Sequence, residues 1–103
     1  MDYALITTSI GTEAEATALM EKVVGERLAA CAQMYPVQSH YWWEGKIAHS
    51  AEVTIHFKTT GKNVEALQSF IAQHHPYQVP QILVYEIREG HQPYLDWLDT
   101  ETI

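Results

Sequence analysis

Two long β-type segments, Ala32 to Trp43 and Ile47 to Thr59, constrain the fold of this chain more than any other feature. They flank Glu44-Gly45, a plausible tight hairpin turn. The second segment alternates cleanly. Ile47, Ala51, Val53, Ile55 and Phe57 point one way, and Glu52, Thr54, His56 and Lys58 point the other. One face of the hairpin therefore asks for an apolar cover. The other carries a polar row that must be hydrogen-bonded or hydrated wherever it is buried.

The remaining elements fall on either side of this hairpin. Tyr3 to Thr8 is a short β-branched and apolar run bounded by Gly11, and reads as a strand. Thr12-Glu13-Ala14-Glu15 has the capping-box form, with the Thr12 hydroxyl and the Glu15 carboxylate expected to cover orphan amides. Ala16, Leu19, Met20, Val23 and Val24 follow at helical spacing to about Arg27. Gly25 weakens that helix, so its last turn is expected to pack closely against something. After the hairpin, Thr60 is expected to cap a second helix from about Lys62 to His74, with Val64, Leu67, Phe70 and Ile71 on one side. Pro76 ends it by excluding the preceding residue from the helical region. Gln81 to Arg88 reads as a last long strand, Gly90 breaks it, and Pro93 to Leu98 suggests a short terminal helix.

The resulting order, β-α-β-β-α-β, is that of the α+β ferredoxin-like sandwich. Residues 1–103 are expected to form one domain. Right-handed crossovers would set both helices on one face of a four-stranded sheet. The last strand is nevertheless apolar on both sides, with Ile82 and Val84 on one and Leu83, Tyr85 and Ile87 on the other. So apolar a second face is expected to be covered, either by the C-terminal segment or by self-association. Few residues remain for a lid, which favours association.

Six Lys and Arg stand against 13 Asp and Glu, a formal charge of −7. Such a chain repels phosphate backbones and anionic lipid surfaces, so no nucleic-acid or membrane partner is expected. The start lacks a basic region and a long apolar run, and a cytoplasmic location is the expectation. Cys31, the single cysteine, allows no intrachain disulfide, and nothing beside it supplies a base; it reads as a buried structural residue.

His74-His75 at the exit of the second helix is the most visible candidate site. The pair can cap the helix C-terminus through its carbonyls, or ligate Cu(II) or Zn(II) once the chain leaves the helix before Pro76. Tyr41-Trp42-Trp43 puts two aromatics on one face and one on the other, suited to core and interface packing or to stacking against a planar ligand. Lys58, close to the start of the second helix, can hold an anion or simply be solvated. No nucleophile is paired with a base, so no enzyme is expected.

Five motifs run in order along the chain: Arg27-Leu28-Ala29-Ala30-Cys31, Ser39-His40-Tyr41-Trp42-Trp43-Glu44-Gly45-Lys46, Lys58-Thr59, His75-Pro76-Tyr77-Gln78-Val79-Pro80 and Tyr94-Leu95-Asp96-Trp97. Together they resemble the CutA family. The resemblance implies a trimer of ferredoxin-like subunits, like the PII signalling proteins, and a role in tolerance of divalent metals, copper especially. Two positions depart from relatives. Thr8 stands where some copper-binding members have a cysteine, and Gln81 where many have a glutamate. Both losses remove anionic donors, so metal binding through His74 and His75 is expected to be weak. The alternative is a PII-like sensor or adaptor, with clefts between subunits lined by Tyr41, Trp43, Lys58 and Tyr77 that take a small anion or an unidentified protein partner.

Overall fold

The computed structural model describes all residues 1–103. Its elements are strand β1 (Tyr3–Ile10), helix α1 (Glu13–Gly25), strand β2 (Cys31–Trp43), strand β3 (Lys46–Thr60), a 3-10 turn (Gly61–Asn63), helix α2 (Val64–His74), strand β4 (Ile82–Glu86) and helix α3 (Gln92–Glu101). The sheet order is β2-β3-β1-β4 with every neighbouring pair antiparallel. Each β-α-β unit therefore leaves room for one foreign strand, which is the ferredoxin-like arrangement.

Local chemistry explains where the elements stop. The Thr12 hydroxyl accepts the Glu15 amide at 3.1 Å and donates to the Glu15 carboxylate at 2.9 Å. The carboxylate thus meets a hydroxyl rather than the orphan amide that the capping-box form implied. At the other end of α1, a side chain added at Gly25 would meet open space, so this glycine is not a close-packing one, contrary to expectation. The helix is terminated by Arg27, at φ 59, where glycine is usual. The Leu28 amide bonds the Val23 carbonyl and the Arg27 amide that of Val24, the paired bonds of a Schellman motif. Arg27 is held there by an ion pair with Glu101 at 3.0 Å and by its own carbonyl, which accepts the Ile103 amide. Thr60 does not cap with its side chain; its hydroxyl instead accepts the Asn63 side-chain amide.

The core lies between the helices and one face of the sheet. Ile6, Ile10, Ile55 and Phe57 pack against Ala16, Leu19 and Val23 of α1 and Leu67 and Ile71 of α2. Burying each of these larger side chains is worth roughly 1.5–3 kcal/mol. Val53 joins the edge of this cluster, so the apolar row read from β3 faces the helices. Ala51 belongs to the same row but lies beyond the helices and is exposed.

The opposite face is open. There the Thr7 hydroxyl donates to the Ile55 carbonyl and the Ser9 and Thr54 hydroxyls bond each other, which satisfies the buried polar row. The C-terminal segment reaches only one corner of this face, where Asp99 accepts the Tyr3 hydroxyl and Tyr94 lies against Cys31. Tyr35, Leu83 and Tyr85 remain 45%, 47% and 54% exposed. Cys31 is half-buried at that corner rather than inside the core, because the register sets it opposite Lys58 on the open face. β4 spans five residues instead of the eight read from sequence. Pro80 has no amide to extend the ladder toward the end of β1. α3 is longer than expected, with Leu95 and Leu98 buried.

Candidate functional site

The turn at Glu44 and Gly45 has φ of 51 and 77, the two positive values of a type I′ hairpin. Its twist matches that of the strands, so β2 and β3 stay paired from Cys31–Lys58 to Trp43–Lys46 and project well past the helices. Where this arm leaves the body, the loop after α2 folds against it. The two enclose a cleft of about 490 Å³ whose walls include Ser9, Tyr41, Trp43, Glu52, Tyr77 and Gln81.

Glu52 is the one charged side chain in that cleft, and it is buried. It accepts the Tyr77 hydroxyl at 2.6 Å. Burial, and then the bond to Glu52, push the Tyr77 hydroxyl well above the ordinary phenol range. Tyr41 donates to or accepts from Ser50 at 2.9 Å, which fixes its ring along the arm.

Tyr41, Trp43 and Tyr77 are thus brought to one cleft. Lys58 is not with them. It lies six residues along β3 from Glu52, roughly 20 Å away, and bonds the Gln33 amide oxygen near the opposite end of the sheet. Within one chain the expected anion site has lost its cation and gained a carboxylate.

The three residues considered for metal also part company. His75 is buried, with Nε2 2.8 Å from the Ser9 carbonyl and Nδ1 accepting the Tyr77 amide at 3.1 Å. Nδ1 must be the unprotonated nitrogen and Nε2 the donor, so neither has a lone pair left for an ion. His75 is a pin that joins the loop to β1. His74 caps the Phe70 carbonyl through Nδ1 at 2.8 Å and stacks on the Phe70 ring. Thr8 is fully buried on the helix side, its hydroxyl without a partner. No three His, Cys, Asp or Glu side chains converge. The expected His74–His75 pairing is therefore corrected: the first residue past the helix is turned inward by its two backbone bonds.

Sequence reasoning passed over Glu52 as a site residue, although it is the lone carboxylate in a Thr and His row. It also passed over His40 and His49, which stand equidistant from the turn and meet across the strands.

Known proteins close the case. The family description "CutA1 divalent ion tolerance protein" matches residues 4–101. The chain is 44% identical over 92 residues to the Divalent-cation tolerance protein CutA of Yersinia pestis (strain Pestoides F), covering 88% of this chain and 77% of that one. Among solved structures, CutA from Synechococcus elongatus PCC7942 superposes with a TM-score of 0.94 at 39% identity, over 97% of this chain and 89% of that one. CutA from Xylella fastidiosa does so with 0.96 at 32% identity over the whole of both chains. A match that runs through both helices, the long hairpin and the His75 loop leaves one assignment: the chain belongs to the CutA1 divalent ion tolerance family.

Proposed function

We propose that this protein acts in tolerance of divalent cations, copper among them, as a cytoplasmic homotrimer that binds metal weakly and performs no catalysis. The observation that carries the reading is the family match over residues 4–101. The open sheet face supports the assembly. Its exposed Tyr35, Leu83 and Tyr85 form an apolar surface that α3 leaves uncovered, and three such faces packed about an axis would bury it.

With His75 committed to backbone, metal contact in this reading falls to His74, whose Nε2 makes no bond within the chain. Water or a neighbouring copy must complete the shell, which keeps affinity low. The anion-sensor alternative is not favoured, because Glu52 would repel an anion from the cleft.

Growth of a strain lacking the gene, with and without this chain, in graded Cu(II) and Zn(II) tests the role. Restored tolerance is the expected result, and equal sensitivity in both strains would overturn it. Light scattering should give three times the 11.7 kDa chain mass. A Leu83→Asp/Tyr85→Asp variant should run as a monomer.

A further inference from the structure

On the projecting arm, His40 of β2 faces His49 of β3 in direct register. Counting outward from the two-residue turn, the flanking pair Trp43–Lys46 exchanges hydrogen bonds, Trp42–Ile47 does not, and the two kinds alternate from there. His40–His49 falls in a non-bonded position, where cross-strand side chains approach most closely. The two imidazoles lie parallel, with centroids 4.3 Å apart and planes 6° apart. Both residues are exposed. His40 makes no hydrogen bond within the chain, and His49 makes one, at 2.9 Å, to the amide oxygen of Gln38.

We propose that His40 and His49 form a two-imidazole chelate for a divalent transition-metal cation, with Cu(II) held most tightly and the Gln38 amide oxygen available as a third donor. The pair differs from His74 and His75 in the feature that matters for ligation. Three of its four ring nitrogens are unoccupied, whereas His75 has none free. A metal bound at about 2.0–2.1 Å by each imidazole needs the two nitrogens roughly 3 Å apart. Rings already stacked at 4.3 Å reach that by tilting toward each other, a rotamer motion exposed side chains make in picoseconds to nanoseconds. The backbone need not move, so the chelate is pre-organised by the hairpin ladder. Two nitrogens and an amide oxygen with open positions for water suit the tetragonal preference of Cu(II), and the divalent order sets it above Ni(II) and Zn(II).

The row that carries this pair is the one that carries Ile55 and Phe57 toward the helices. The site therefore lies on the side of the sheet away from the open face, so packing of open faces against one another would not cover it. It does not depend on the tolerance reading.

The test is titration of Cu(II) into untagged full-length protein, read by electron paramagnetic resonance and by quenching of Trp42. Trp42 shares this face one side-chain step, roughly 7 Å, nearer the turn. The expected result is one site per chain with a two-nitrogen signature. His40→Gln and His49→Gln should each lower affinity at least tenfold and leave at most one nitrogen, while His91→Gln, at the start of α3 and outside both metal readings, changes neither. Thermal unfolding of each variant without metal should match the parent. Unchanged Cu(II) affinity in both arm variants overturns the proposal, as does a two-nitrogen signature that disappears only in His74→Ala. Failure of the growth test with this titration intact would overturn the tolerance role alone.

Discussion

One strand joins two different regimes in this molecule. In the body, β3 carries Ile55 and Phe57 into a core where both are fully buried. Eight residues before Ile55, in the arm, Ile47 of the same row is 65% exposed and its partner Trp42 is 73% exposed. The sequence pattern is similar in both halves, yet packing stabilises one and cross-strand pairing with a well-chosen turn stabilises the other. Alternation alone reports which way a side chain points. It does not report whether anything is there to meet it. The arm's aromatics are thus free to serve a cleft, a partner copy or a metal.

The sharpest contrast should come from truncating one aromatic in each region. Phe57→Ala should cost about 3–5 kcal/mol in denaturant unfolding, since it empties a fully buried site. Trp42→Ala should stay within about 0.5 kcal/mol. Similar losses in the two variants would mean that the arm is packed in solution.

At the junction of the regions, Tyr77→Phe removes the hydroxyl that Glu52 accepts. It should destabilise by roughly 1–3 kcal/mol at neutral pH by leaving a buried carboxylate short of a donor. The same hydroxyl gives a pH signature. Its proton is held more tightly in the fold than in the unfolded chain, whose phenol ionises near ~10. The Tyr77 contribution is therefore whole below about pH 10 and falls as pH rises above it. Unfolding measured from pH 9 to 11 should show the parent losing its advantage over Tyr77→Phe. A constant difference would detach Tyr77 from Glu52.

At the tip the expected loss is smaller than at the junction. Gly45→Ala puts a Cβ at φ 77, with nothing nearby to clash, and should cost about 1 kcal/mol from backbone strain alone. A loss confined to the arm should appear in amide exchange of residues 40–49 with protection of β1 unchanged.

Most of the fold was legible in the residues. The β-α-β-β-α-β order, the Glu44-Gly45 turn, the helix-facing row of β3 and the helix stop before Pro76 all follow from periodicity and backbone preference. The errors have specific causes. Gly25 looked like a packing glycine, but the helix ends two residues later on Arg27, whose left-handed backbone is held by Glu101 and Ile103 from the far end of the chain. β4 looked longer because its apolar alternation runs on to Ile87, which makes one last amide bond to Tyr3 after the strand has ended at Glu86. The candidate site was only partly visible. Tyr41, Trp43 and Tyr77 could be named as aromatics, but Glu52 could not be matched to Tyr77 across 25 residues, nor Lys58 separated from them.

By itself, then, the sequence determined the local periods, the breakers between them and hence the topology, because these depend on neighbours a few residues apart. Only the tertiary structure decided that His75 spends both nitrogens on Ser9 and Tyr77, that Glu52 and Tyr77 close a cleft, and that His40 lies on His49. A side chain's free lone pairs depend on partners distant in the chain. Residue type alone cannot count them.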